Sequence, residues 1–137
     1  MAIEEPKDLA LFADLGKKDL EHIGSLCTKI TLGAGQRLTR EGRYGRQAVI
    51  FLSGAAEVER GGEIVATLGA GDIAGEIALL EGARGEQTAT VTTTESCEVL
   101  LLTIEEFSKI VEDFPAVAAR IEHTALGRLR RDLQGDD

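Results

Sequence analysis

The sequence predicts a mainly β domain, a roll or barrel with helices at its two ends. Three observations lead there. From Ile30 onward, short β-type runs are separated by turn residues about every ten positions. The 137 residues include 16 glycines and only two prolines, the balance of a chain with many tight turns. Apolar residues at helical spacing are confined to the segments before Lys29 and after Thr103. Strands that follow one another without intervening helices form a roll or barrel more readily than a parallel sheet.

In chain order, Leu9, Leu11, Phe12, Leu15, Leu20, Ile23 and Leu26 recur at helical spacing, interrupted around Gly16, which predicts two short helical pieces. Strands are expected at Lys29–Leu32, Gln36–Thr39, Gln47–Leu52, Ala55–Arg60, Ile64–Leu68, Thr88–Thr93 and Glu98–Leu102. Gly61-Gly62, between two of these runs, is a two-residue hairpin signal. Helix returns at Thr103. Thr103 and Glu106 have the spacing of a capping box, and Ile104, Phe107, Ile110 and Val111 form an apolar stripe. Pro115 opens a second helix, where its missing N–H costs nothing. That helix carries Val117, Ile121, Leu126, Leu129 and Leu133, and Arg128, Arg130 and Arg131 complement its dipole. The whole chain, 1–137, reads as a single domain with the roll at about 29–103 and C-terminal helices at about 104–132.

Composition removes several classes of function. A formal net charge of −9 opposes general nucleic-acid binding, which draws its affinity from Lys and Arg contacts to phosphates. The same charge repels an anionic ligand unless the field is locally reversed. Cys27 and Cys97 sit among apolar neighbours and read as buried free thiols of a reducing compartment. No apolar stretch approaches the roughly 20 residues of a membrane span, and no leader is evident, so a cytoplasmic location with no membrane contact is expected. His22 and His123 lie in the terminal helices without an evident partner, and no histidine lies between Lys29 and Leu102. A metal-binding roll needs clustered histidines on its strands, so neither a metal site nor a cofactor is expected. The chain has no GxSxG elbow, P-loop, CxxC or histidine placed to activate a cysteine, so no catalytic residue is assigned and an enzyme is not expected.

The most telling segment is Gly69–Val91, GAGDIAGEIALLEGARGEQTATV. A glycine-punctuated turn leads into a short helix opened by Gly75-Glu76, a polar loop and a Thr-rich strand. Free N–H groups at a helix opening suit a phosphate, and the Glu76 carboxylate suits a ribose hydroxyl. One loop gripping both a sugar and a phosphate implies a small nucleotide.

With Leu11-Phe12, Leu20, Gly35, Glu41-Gly42 and Gly54, and above all Gly71-Asp72-x-x-Gly75-Glu76-Ile77-Ala78-Leu79-Leu80 before Thr88-Ala89-Thr90-Val91, the chain resembles the cyclic nucleotide-binding domain family. This is the β-roll family of catabolite activator protein and of cyclic-nucleotide-gated channels, and the resemblance runs from about Leu11 to Leu129. It implies a double-stranded β-helix, a jelly-roll-like β-roll, with N-terminal helices and two C-terminal helices. It also implies a regulatory sensor module for cAMP or cGMP, built on a phosphate-binding cassette. By position, Glu76 would accept from the ribose 2′-hydroxyl, and the N–H groups of Ala78 and Thr88 would face the phosphate. Gly75 would admit the sugar, and Ile64, Leu68 and Val91 would surround the base. Ile77, Arg84, Gln87 and Ala89 complete the expected ligand-binding set. cAMP is the favoured ligand, while the Thr88 hydroxyl keeps cGMP open.

The chain departs from the family at one important position. Where the family places an arginine against the phosphate, this chain has Gln87, preceded by Glu86, and the only arginine of its longer loop is Arg84. A charge-assisted hydrogen bond contributes roughly 1.5–3 kcal/mol and a neutral one about 1, so loss of the arginine's bond is expected to weaken binding by about ten- to a hundredfold. Arg84 restores much of this if the loop folds back. The resemblance further implies that Phe107–Asp113 and Phe114–Arg131 move to cap the base. No DNA-reading helix and no membrane part follows before Asp137, so output is expected to pass to a protein effector, or to a second copy through Leu126, Leu129 and Leu133, with no direct DNA binding. The alternative reading is a degenerate roll that binds no cyclic nucleotide and serves as an interaction or assembly module. Glu86 and Gln87 favour it; Gly75, Glu76 and Ala78 oppose it.

Overall fold

The computed structural model describes residues 10–43, 47–75, 87, 89–121 and 123. A 3-10 turn, Ala10–Phe12, precedes helix α1, Lys17–Leu26. Eight strands follow: β1 Thr28–Leu32, β2 Arg37–Thr39, β3 Gln47–Ser53, β4 Ala56–Arg60, β5 Glu63–Leu68, β6 Ile73–Ala74, β7 Thr90–Thr93 and β8 Cys97–Thr103. Helix α2, Ile104–Asp113, and a helical stretch at 115–121 close the described fold. The strands form two four-stranded antiparallel sheets, β1-β8-β3-β6 and β2-β7-β4-β5. The mainly β architecture is therefore as expected. β6 is an addition to the predicted strands, a two-residue pairing of Val49 with Ala74 and Ile50 with Ile73.

The order of residues in β3 explains how the layers stack. Side chains alternate between the two faces of a strand, and β3 is apolar on both: Val49 and Phe51 face one core, Ala48, Ile50 and Leu52 another. β8 repeats the pattern, with Cys97 and Val99 on the first side and Leu100 and Leu102 on the second. The first side packs against Ala56, Val58, Leu68 and Val91 of the other sheet. The second carries the helices through Phe12, Ile23, Phe107, Ile110, Phe114, Val117 and Ile121. The sheet β1-β8-β3-β6 is thus the middle layer of three.

The helices are fixed by local signals and by two long-range ties. The capping box forms as expected: the Thr103 hydroxyl accepts from Glu106 N–H at 3.2 Å, and the Glu106 carboxylate accepts from Thr103 N–H at 2.9 Å. Phe107 and Ile110 are buried and Ile104 and Val111 pack beside them, so the predicted stripe faces the sheet. His22, expected to lack a partner, lies 3.2 Å from the Asp113 carboxylate and packs at a tilt against Phe114, ring centroids 5.7 Å apart, which joins α1 to the end of α2. Arg120 donates to the carbonyls of Leu11 and Ala13 at 3.1 and 2.7 Å, strapping the 115–121 helix to the first turn.

Both cysteines are free. Thr28 pairs with Leu101 and Leu32 with Cys97, so Cys27 and Cys97 lie at opposite ends of this ladder. Five residues of strand, about 17 Å, exceed the reach of a disulfide. Burial, with help from nearby Glu106, pushes the Cys27 thiol up to about 12, so it is inert at neutral pH. Burial also raises the Cys97 thiol.

Two tests follow from this packing. Gly54 has φ +92°, and an added Cβ would lie 2.5 Å from Cys97 Sγ and 2.6 Å from the Ser96 carbonyl oxygen. Gly54→Ala is expected to cost about 2–4 kcal/mol in chemical denaturation, whereas Gly33→Ala, with open space around it, stays close to wild type. The second concerns Asp113, whose carboxyl is held below its ordinary value by the hydrogen bond from His22, then by Lys109. A depressed carboxyl stabilises the fold above its ordinary value of about 4 and loses that contribution as pH falls through the lower folded value. Melting curves should therefore show Asp113→Asn below wild type at pH 7, with the gap closing as pH falls below the ordinary carboxyl value.

Candidate functional site

The Gly71-Asp72 motif builds a turn. The Asp72 carboxylate accepts from Gly69 N–H at 2.8 Å, and Asp72 N–H donates back to the Gly69 carbonyl at 3.0 Å. The turn is fastened to β3, since Gly71 N–H donates to Phe51 O and Phe51 N–H to Asp72 O, both at 2.8 Å. Asp72 is thereby committed to the backbone.

From this turn the chain runs through β6 to Gly75. Its φ is +88°, and an added Cβ would lie 2.5 Å from the Gln47 carbonyl oxygen. Gly75 is needed for close backbone approach to the start of β3. Of the expected ligand-binding set, Glu76, Ile77, Ala78, Arg84 and Thr88 lie outside the described residues, while Gly75, Gln87 and Ala89 fall within them.

Gln87 is held by the connection between β2 and β3. Its N–H donates to Arg43 O at 2.8 Å, its carbonyl accepts from Gly42 N–H at 2.9 Å, and its side-chain Oε1 accepts from Arg40 N–H at 2.8 Å. That oxygen is engaged by the backbone. The two ends of the 76–86 segment therefore rest on one short piece of chain: Gly75 against Gln47 and Gln87 against Arg43. Four residues of chain span at most about 14 Å, so the segment leaves and returns at neighbouring points.

Just beyond, Ala89 is buried and its carbonyl accepts from the Thr39 hydroxyl at 2.8 Å; the same hydroxyl accepts from Val91 N–H at 3.0 Å. Thr93 plays a matching part, donating to Gly33 O at 2.7 Å and accepting from Gln36 N–H at 2.8 Å. Sequence reading took the Thr-rich run as strand-forming residues and gave Thr39 no role. Thr39 and Thr93 are the buried polar residues that splice β2 to β7. Leu68 and Val91 share the core between the sheets, but Ile64 is 59% exposed. A bulge sets Ile64 opposite Glu59, on the outward face and apart from the other two expected base contacts.

The charge around this anchor is uneven. Arg37, Arg40 and Arg43 are exposed, and among the described residues no ion pair engages them. The one carboxylate among them, Glu41, accepts from Gly61 N–H at 2.9 Å. No group of His, Cys, Asp and Glu among the described residues could hold a metal ion. No helix among them is long and apolar enough to cross a membrane. A separate cavity of about 430 Å³ lies between Leu11, Ile73, Ala119 and His123, on the helical side of β6.

Comparison with known proteins agrees with this geometry. Residues 29–114 match the family model of the cyclic nucleotide-binding domain. The chain is 30% identical over 126 residues to the potassium/sodium hyperpolarization-activated cyclic nucleotide-gated channel 4 of Oryctolagus cuniculus, covering 90% of this chain and 10% of that protein. It is 34% identical over 97 residues to channel 3 of Mus musculus, covering 71% of this chain and 12% of the channel. The chain thus spans only about a tenth of the length of these relatives. Among solved structures, the catabolite activator protein of Thermus thermophilus superposes with a TM-score of 0.76 at 28% identity, over 92% of this chain and 61% of that one. The regulatory domain of Toxoplasma gondii PKA, solved with cAMP, superposes with a TM-score of 0.67 at 33% identity, over 78% and 42% of the two chains. On its strand order, its glycine-anchored segment and these matches, the chain belongs to the cyclic nucleotide-binding domain family.

Proposed function

We propose that this chain is a cyclic nucleotide sensor module that takes cAMP in preference to cGMP, in the segment between Gly75 and Ala89, and acts by regulating a protein partner rather than by catalysis. The observation that carries the proposal is the common anchoring of that segment's two ends on the β2–β3 connection. A segment held at both ends by a rigid sheet can present Glu76 to a ribose hydroxyl and the Ala78 and Thr88 N–H groups to a phosphate in fixed relation. The 33% identity to a regulatory domain solved with cAMP supports the ligand class and the preference for adenine.

Gln87 favours a second reading. With its side-chain oxygen taken by Arg40 N–H, position 87 offers the phosphate no cation, and a roll without phosphate affinity would serve as an assembly module. Ligand binding separates the two readings. Isothermal titration with cAMP and cGMP, at protein concentrations that detect micromolar binding, should give saturable one-site binding with cAMP the tighter. A ligand at a hundredfold excess over its Kd should add about 2.7 kcal/mol of stability. Glu76→Ala should weaken cAMP about ten- to a hundredfold through loss of a charged acceptor. Absence of heat with either nucleotide up to millimolar concentration, with an unchanged melting temperature, leaves the assembly reading. Gly75→Ala tests the anchor itself: the strained, crowded position should cost about 1–3 kcal/mol in chemical denaturation.

A further inference from the structure

The Gln87 contacts gather two cations, engaged by no ion pair among the described residues, at the end of the candidate ligand segment. Arg43 N–H donates to Arg40 O at 3.0 Å, closing a four-residue turn whose third residue, Gly42, has φ +83°. Such a turn holds its first and last Cα atoms within about 7 Å, so the two arginines stand side by side. Each end of the turn is hydrogen-bonded to Gln87. The intervening Glu41 does not neutralise them: its carboxylate serves Gly61 N–H, and its own N–H donates to Thr90 Oγ1 at 3.0 Å. No ion pair among the described residues engages Arg40 or Arg43. In a chain of net charge −9, two adjacent exposed guanidinium groups favour a local reversal of the field, which an anionic ligand needs.

We propose that Arg40 and Arg43 are specificity-determining residues for the anionic part of the ligand, supplying from the β2–β3 turn the positive charge that position 87 does not carry. This rests on the reading of the 75–89 segment as a cyclic nucleotide site. Gln87 is then the positioning residue. By accepting Arg40 N–H through its side chain and pairing with Gly42 and Arg43 through its backbone, it brings the turn to the phosphate. The glutamine thus exchanges a direct cation for the docking of two others. Guanidinium groups are suited to this, because they stay charged and offer paired N–H donors to phosphate oxygens.

The test is titration of the full chain with cAMP at about 50 and 300 mM salt, for wild type, Arg40→Ala/Arg43→Ala, Arg40→Lys/Arg43→Lys and Arg37→Ala. The double alanine variant should lose at least tenfold in affinity at low salt, with a shallower salt dependence than wild type. The lysine pair should recover most of the loss, and Arg37→Ala should stay within twofold. Both arginines are exposed, so melting temperatures should be unchanged. Wild-type binding that the double alanine variant retains within twofold, at both salt concentrations, overturns the assignment of the arginines while leaving the nucleotide site standing. A loss equal to that from Arg37→Ala reduces the effect to general charge and also overturns it. No wild-type binding overturns the assignment together with the reading beneath it.

Discussion

The constraint on which the rest depends is the two-sided burial of β3 and β8. A strand that is apolar on both faces must be covered twice, by a second sheet on one side and by helices on the other. Once Val49 and Phe51 are committed to the inter-sheet core, Ile50 and Leu52 are left facing outward, and α1, α2 and the 115–121 helix satisfy them. β3 is also the strand that receives the Gly71-Asp72 turn and lies against Gly75. The most deeply buried strand therefore forms the floor on which the candidate site is mounted.

The site is a set of backbone attachments carrying a segment of chemistry. Gly75 approaches Gln47, Gln87 pairs with the turn at Arg40–Arg43, and Thr39 bridges Ala89 and Val91. Each of these ties the segment to β2, β3 or their connection. A change in how the segment is seated is therefore felt at β3, whose other face contacts the helices. A ligand can be read out by the helical layer only if it favours one arrangement of that layer over another; β3 touches both that layer and the segment's anchors.

Much of the fold was legible because it follows from local pattern. The short strands between turn residues, the Gly61-Gly62 hairpin and the Thr103–Glu106 capping box depend on residues close in sequence, and each appears where the pattern puts it. What was not legible depends on partners far away in sequence. β6 has two residues and exists only through its pairing with β3. His22 meets Asp113 across 91 positions, and the Thr39 hydroxyl finds Ala89 across 50. The Gly-Glu and Thr-Ala-Thr-Val strings point to the candidate segment, and Gln87 stands out in it as a departure from the family pattern. That Gln87 holds the β2–β3 turn could not be read from its neighbours, because its side-chain acceptor and both backbone groups find partners only across the sheet.

The bulge in β5 has a consequence for life in a crowded solution. Among the described residues β5 is an edge strand, and a regular edge with an exposed Ile64 would offer a row of unpaired N–H and C=O groups to any passing chain. The skipped partner between Val58–Ala66 and Glu59–Ile64 breaks the spacing of that row and leaves Glu63 and Glu59 beside the exposed isoleucine. Stacking a second copy on this edge would bring like charges together along a kinked template. A single extra residue thus makes this edge a poorer template for strand addition.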